Sequence, residues 1–278
     1  MEEKISVIMG VYNCSDTLKE SLDSIVRQTY TNWELVICDD GSTDDTYAVL
    51  LEYERRYPDK IILLRNNINS KLAYSLNRCL EYTTGQFIAR MDGDDISLPD
   101  RFEKQLGFLK NNPDIDLVGT SMRRFNEDGL ADVVEAIQNP DRFTLKDSIP
   151  FFHATIMTYK HVYDALGGYT VSQRTVRVED YDLWFRFYHA GFNGSNILEP
   201  LYLVREDLNA IKRRTFRVRW NGLKTTYKGF RLLGYPAHWY IRPTLLALVK
   251  VLVPDRLMLF YREIQKRKWE RDNSSDFG

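Results

Sequence analysis

The chain has 278 residues, of which 44% are apolar and 28% charged. That length and balance allow a sizeable buried core and exclude a disordered chain over most of its length. The net charge of −1, from 38 Lys+Arg against 39 Asp+Glu, conceals an acidic body and a basic C-terminal part.

Lys4-Ile-Ser-Val-Ile-Met9 reads as a buried strand and Gly10-Val-Tyr-Asn-Cys14 as the loop after it. Met1-Glu-Glu-Lys runs directly into this strand, so no signal peptide is expected. Ser15 or Asp16 caps a helix with Leu18, Leu22, Ile25 and Val26 at helical spacing. Trp33 to Cys38 is a second strand, ending in Asp39-Asp40-Gly41-Ser42-Thr43-Asp44, and a helix carrying Tyr47, Leu50 and Leu51 follows. Lys60 to Leu64 is a third strand, and Leu72, Leu76, Cys79 and Leu80 mark the next helix. Phe87 to Met91 is a fourth strand, and Pro99 stands near the start of a helix with Phe102, Leu106 and Leu109. Strand and helix alternate here without hairpin signals, which predicts an α/β fold with a parallel sheet and crossover helices. Ligands of such sheets bind beyond the carboxyl ends of the strands, so Tyr12, Asp40, Asp92 and Asp94 should share one crevice.

After Pro113 the pattern changes. Ile115 to Ser121 and the stretch around Val133 are predicted strands of a mixed extension, and His153 to Met157 is another short strand. Gly167-Gly168-Tyr169 closes a short helix. A helix starts in Val178-Glu-Asp-Tyr-Asp-Leu-Trp-Phe-Arg186 and runs to about Ala190. Leu201 to Arg205 is a last strand, and from Ile211 the chain reads helical with a break at Gly234-Tyr-Pro236. The three cysteines, Cys14, Cys38 and Cys79, have no paired spacing and read as buried thiols of a reducing compartment.

Chemistry concentrates in Arg90-Met-Asp-Gly-Asp-Asp95. In an extended chain positions i and i+2 point the same way, so Asp92 and Asp94 can face one small volume. Gly93 between them allows close approach. Such a cluster suits a hard divalent cation with oxygen ligands, Mn²⁺ or Mg²⁺. Tyr12 can stack on a nucleobase, Asp40 can accept from its imide, Asp92 can accept ribose hydroxyls, and Asp94 can hold the cation against a diphosphate. A metal-bound diphosphate is a good leaving group, so transfer to a hydroxyl then needs one base on the acceptor side. Asp180 is the leading candidate for that base, with Glu179 and Asp182 as neighbours able to take the role. Trp184 either floors a sugar pocket or belongs to the core, and His153 either borders that pocket or is structural.

The basic part runs from Arg205, with 17 Lys+Arg against 7 Asp+Glu. Leu245 to Val253 is apolar nearly all round but far short of the ~18 residues a spanning helix needs. Its basic and aromatic neighbours read as a membrane-surface contact, or alternatively as a helix packed on the body. No nucleic-acid recognition motif accompanies the charge.

Ser6-Val-Ile-Met-Gly-Val-Tyr-Asn13, Val36-Ile-Cys-Asp-Asp-Gly-Ser-Thr-Asp44, Gly85 to Arg101 and Val178 to Arg186 together resemble the motifs of family 2 glycosyltransferases, inverting enzymes of the GT-A fold. The resemblance spans about residues 4 to 205. It implies a GT-A catalytic domain over 1–205, with a nucleotide-binding half (1–113) and an acceptor-side half (114–205), and a helical C-terminal extension over 206–278. It implies that Tyr12 and Asp40 hold a uracil-type base and Asp92 the ribose. Asp94 falls on the metal-ligand position and Asp180 on the general base. Members with this pattern commonly use UDP-sugars and polyprenyl-diphosphate-linked saccharide acceptors in capsule, O-antigen or exopolysaccharide synthesis, at the cytoplasmic face of the membrane. Two departures carry expectations. Asn69-Ser-Lys71 lacks a usual glycine, so Lys71 is expected to reach the nucleotide, and Val204-Arg-Glu-Asp207 replaces a Tyr-Arg-x-His pattern, leaving Arg205 to steady the diphosphate. A dehydrogenase is excluded by the missing Gly-x-Gly-x-x-Gly. A sugar-nucleotide nucleotidyltransferase lacks its glycine-rich basic phosphate loop, and a non-catalytic carbohydrate-binding relative would have no use for both Asp94 and Asp180.

Overall fold

The structure, a computed structural model, describes residues 3–206 and 215–252, the side chains of its last helix only as far as residue 246. The first half follows the predicted alternation. Strands β1 (Ile5–Val11), β2 (Trp33–Asp39), β3 (Ile61–Arg65) and β4 (Phe87–Arg90) alternate with helices α1 (Ser15–Val26), α2 (Thr46–Arg56), α3 (Leu72–Glu81) and, after β4, α4 (Arg101–Asn111). The strands pair in parallel in the order β3-β2-β1-β4, with Val7 opposite Leu35 on one side and Ala89 on the other. Parallel strands buried on both faces need apolar residues at nearly every position, and β2 is buried throughout.

The pleat sorts these side chains. Ile5, Val7 and Met9 join a core on one face with Leu18, Leu22 and Phe102, while Ile8, Val36 and Cys38 join a second core on the other with Leu76 and Cys79. All three cysteines are free thiols, Cys38 and Cys79 buried.

Beyond Pro113 the sheet becomes mixed. A two-residue strand, β5 (Ile96–Ser97), precedes α4, and β6 (Leu117–Asn126) and β7 (Gly129–Val134) form an antiparallel pair. The strand expected over His153–Met157 is instead a 3-10 turn at His153–Thr155 followed by β8 (Met157–Tyr159). The turn is fixed by Thr155, whose hydroxyl donates to the Phe152 carbonyl at 2.9 Å. Helices α5 (Lys160–Leu166) and α6 (Glu179–His189) lead into β9 (Gly194–Arg205), longer than the expected Leu201–Arg205. β9 runs parallel to β6 and antiparallel to β5, which completes the path β4-β8-β6-β9-β5.

The described helix after β9 packs on the body. Helix α7 (Phe216–Leu232) buries Thr225, Gly229 and Phe230 against α6, and Phe230, Leu233 and Tyr235 complete the second core. At Gly229 a Cβ would lie 2.2 Å from the Phe185 ring, so the two helices touch backbone to ring. The expected break at Gly234-Tyr-Pro236 is present, followed by a 3-10 turn and α8 (Ile241–Leu252). The rest of the predicted basic tail, and Asp207, lie outside the described residues.

Candidate active site

The crevice forms where the carboxyl ends of β1, β2 and β4 meet β9 and the start of α6. Tyr12 leaves β1 with 45% of its surface exposed, free to stack on a flat ring. The turns after β1 and β2 are laced together. The Asn13 amide donates to Ser42 Oγ at 3.0 Å and the Thr43 amide to Asn13 Oδ1 at 2.9 Å. Asp39, as its position suggests, turns the backbone: its Oδ1 accepts the Ser42 amide at 3.1 Å and its Oδ2 pairs with Arg65 Nε at 3.1 Å.

Asp40 is only 3% exposed. Its Oδ1 accepts from Asn66 Nδ2 at 2.7 Å and the Ser70 amide at 2.8 Å, and its Oδ2 accepts the Lys71 amide at 2.8 Å. A carboxylate offers about four acceptor positions, so one remains on Oδ2 for a ligand donor. Asp40 thus first closes the loop after β3. Lys71 shows why a glycine is usual there: its φ of 75° and ψ of 159° fall where an L side chain is strained. Its Nζ donates to Asn69 Oδ1 at 2.7 Å, and the side chain lines a cleft on the α7 side of the site.

Asp92, Asp94 and Asp95 bring one carboxylate oxygen each within 4.8 Å of one another. Gly93 makes this possible, because a Cβ there would lie 2.7 Å from Val11 Cγ1. Ser21 Oγ holds the Asp92 carbonyl at 2.9 Å, and the Asp92 amide donates to the Tyr202 hydroxyl at 3.1 Å. Asp95 is buried, and its carboxyl is pushed well above the usual range by that burial and by the charges of Asp92 and Asp94. Three hard oxygen donors at this spacing, with excess negative charge, fit a divalent cation. Asp95 Oδ1 accepts the Arg205 amide at 2.8 Å.

Arg205 is not left open for a diphosphate, as had been expected from sequence. Its Nε donates to the Asp94 carbonyl at 2.9 Å, its Nη2 pairs with Glu20, and its guanidinium lies 4.4 Å over the Phe125 ring. It shapes the aspartate turn instead.

Arg90 was missed from sequence. It is 1% exposed, and its Nη1 forms an ion pair with Asp92 while its Nε has no hydrogen-bond acceptor. Its charge reaches Glu179, Asp180 and His153. A cation inside an otherwise apolar strand, directly before an acidic turn, was the available signal. Asp180, in the first turn of α6, is partly exposed, yet burial pushes its carboxyl up; the Tyr181 amide at 2.8 Å and Arg90 oppose that, and Asp92 adds to it. Glu179 is pushed up to about 7 by burial and then by the charge of Asp180. Asp182 is removed as a base. Burial pushes it up, but Thr170, Arg174 and Arg186 outweigh that and hold it below the usual range, at 2.6, 2.7 and 2.9 Å.

Two pocket assignments change. Trp184 is 0% exposed, edge-on to Phe151 at 5.2 Å, and belongs to the core, where no sugar can reach its face. His153 Nε2 meets the Tyr169 hydroxyl at 2.7 Å, which in turn lies 2.8 Å from Tyr163. Burial and the Arg90 charge hold this histidine neutral, well below its usual 6.5. It supports the floor under Arg90, as the structural alternative allowed.

Comparison with known proteins places this geometry. The model of glycosyl transferase family 2 matches residues 6–176. The chain is 44% identical to the putative glycosyltransferase EpsE of Bacillus subtilis strain 168, over 91% of this chain and 92% of that one. It is 41% identical to the UDP-Glc:alpha-D-GlcNAc-diphosphoundecaprenol beta-1,3-glucosyltransferase WfgD of Escherichia coli, over 39% of this chain and 42% of that one. Among solved structures, the mannosyltransferase PcManGT from Pyrobaculum calidifontis, in complex with GDP-Man and Mn²⁺, superposes with a TM-score of 0.63 at 19% identity. It covers 97% of this chain and 83% of its own. The fold is GT-A, a mostly parallel sheet with flanking helices.

Proposed function

Because this chain belongs to glycosyl transferase family 2, we propose that it is an inverting glycosyltransferase with a UDP-sugar donor. Its acceptor is a hydroxyl of a saccharide carried on a polyprenyl diphosphate, in the synthesis of a bacterial surface polysaccharide. The observation that carries this reading is two acidic groups that share one buried cation, Arg90. One is the Asp92, Asp94 and Asp95 cluster, ion-paired to Arg90 through Asp92; the other is the partly open Asp180, whose carboxyl the Arg90 charge lowers against its burial.

In this reading Tyr12 stacks on the base, the remaining acceptor position of Asp40 takes its imide, and Asp92 receives the ribose. Asp94, with Asp95 beside it, would hold Mn²⁺ or Mg²⁺, and the ion would supply positive charge to the leaving diphosphate. Asp180 removes the proton from the acceptor hydroxyl as the new C–O bond forms at the anomeric carbon and the bond to the diphosphate oxygen breaks. Attack opposite the leaving group inverts that carbon. Glu179, beside the base, borders the acceptor sugar. The UDP-Glc donor and the diphosphoundecaprenol carrier named for WfgD support the donor and acceptor by likeness, and the Mn²⁺ bound by PcManGT supports a divalent cation.

Peripheral attachment to the inner face of the cell membrane fits the same reading. Phe216, Trp220, Ile241, Leu245 and Leu246 are exposed on α7 and α8, among Lys224 and Arg231. No helix among the described residues is long and apolar enough to cross a membrane.

The test is binding and sugar release across UDP-, dTDP- and GDP-sugars, with and without Mn²⁺, in the wild type, Asp94→Ala and Asp180→Asn. Asp94→Ala should lose metal-dependent turnover. Asp180→Asn should keep nucleotide binding and lose transfer by roughly 10²-fold or more. Full transfer in Asp180→Asn would remove the base, and no binding to any nucleotide sugar would overturn the whole reading.

A further inference from the structure

On the α7 side of the crevice a cleft of about 360 Å³ opens between the start of α3, the turn before α6 and the first turn of α7. Lys71, Arg177 and Arg217 line it together with Gln173, Thr215 and Asn221, and among the described residues no carboxylate does. Among the described residues none of the three cations is in an ion pair. Neutral acceptors aim two of them. Arg217 Nη2 donates to Gln173 Oε1 at 2.8 Å, Lys71 Nζ donates to Asn69 Oδ1, and Asn221 Nδ2 anchors the Gln173 carbonyl at 2.9 Å.

Two further features add to the positive character of this place. The first turn of α7 holds no acidic residue, so the partial positive charge at this N-terminus, capped by the neutral Thr215 hydroxyl, stands beside Arg217. Non-glycine residues with positive φ are Asn13, Lys71 and Arg177 among the described residues, and two of them line this cleft. Backbone strain held at two cationic positions on separate loops is the pattern of a site shaped for a ligand. Like charges gathered in one cleft repel one another, and a multiply charged anion relieves that.

The location selects which anion. Arg177 is three residues before Asp180, on the turn that enters α6, and none of Asp92, Asp94 and Asp95 lines the cleft. The cleft therefore adjoins the proposed base and is separate from the aspartate cluster that faces the donor's diphosphate, while Lys71, whose amide holds Asp40, stands at its nucleobase edge and leaves Arg177 and Arg217 as the groups nearest the acceptor. We propose that it binds the diphosphate of the acceptor, so that the first sugar of the acceptor presents its hydroxyl to Asp180. This rests on the reading above of a diphosphate-linked acceptor.

The experiment uses the full chain and two variants, Arg177→Gly, which keeps the backbone conformation, and Arg217→Ala, with Arg217→Lys as the conservative control. Binding of inorganic diphosphate is measured by calorimetry in the presence of a chelator, so that the aspartates cannot hold it through a metal. Each loss of an arginine should weaken binding about tenfold, with Arg217→Lys close to wild type. UDP should fail to displace the diphosphate. In transfer assays the same variants should raise KM about tenfold for a saccharide diphosphate acceptor. KM for the neutral glycoside of that saccharide, and KM for the donor, should stay unchanged. Unaltered diphosphate binding in both variants, displacement by UDP, or an equal loss with the neutral glycoside would each overturn the proposal. A wild type that binds diphosphate but consumes no nucleotide sugar would refute the glycosyltransferase reading alone, so the two fail separately.

Discussion

Replacing Glu179 by Gln should stabilise the protein at pH 8 and far less at pH 5. Glu179 is 8% exposed at the first turn of α6, and its carboxyl is pushed up from 4.5 to about 7 by burial and by the ionised Asp180 beside it. A carboxyl raised in the folded state opposes folding wherever it must ionise there. The penalty is absent below the unfolded value, grows as pH rises from it, and is complete above the folded value. A rise of this size corresponds to about 3 kcal/mol at pH 8 and to under about 1 kcal/mol at pH 5. Gln keeps the shape and removes the proton equilibrium, so the variant should gain stability over wild type by those amounts. Urea unfolding at the two pH values measures both. An offset independent of pH would show that Glu179 folds with an ordinary carboxyl, and the electrostatic coupling to Asp180 would be wrong.

The backbone at Lys71 yields a second expectation: Lys71→Gly should stabilise by about 1 kcal/mol, because relief of the strained conformation exceeds the added chain entropy. The amide bond to Asp40 persists in that variant, and a loss of stability in denaturant would refute the strain assignment. Two glycines of α7 should respond in opposite directions. Gly229→Ala drives a Cβ into the Phe185 ring and should destabilise by about 2 kcal/mol, whereas at Gly222 the nearest atom is Val178 Cγ1 at 3.9 Å. Gly222→Ala should therefore gain up to about 1 kcal/mol of helix propensity, and thermal melting of both variants checks whether α7 is docked as described.

Burial of both faces of the sheet leaves a mark that sequence carries directly. The apolar runs Ile5–Met9, Trp33–Cys38 and Phe87–Met91, with helices between them, have few ways to be satisfied other than a parallel sheet. The turns beyond those strands then must converge, and Tyr12, Asp40, Asp92 and Asp94 all stand on them. Asp180 is one of three acids opening an amphipathic helix, which is equally legible in the chain.

What sequence could not decide is how distant segments dispose of charge. Asp182 has Arg186 four residues on along the same helix, but only folding adds Arg174 and Thr170 to it and leaves Asp180 open. Trp184 and His153 carry the same chemistry whether they floor a pocket or fill a core. Packing against Phe151 and Tyr169 settles that in favour of the core and the support beneath Arg90. Arg205 lies 110 residues from the Asp95 carboxylate it meets, and the pairing of β5 with β9 that joins them involves only two residues of β5. Local pattern fixes what a segment must bury. Which partner meets a buried charge is set by the tertiary path, because electrostatic compensation acts through space and leaves no period in the chain.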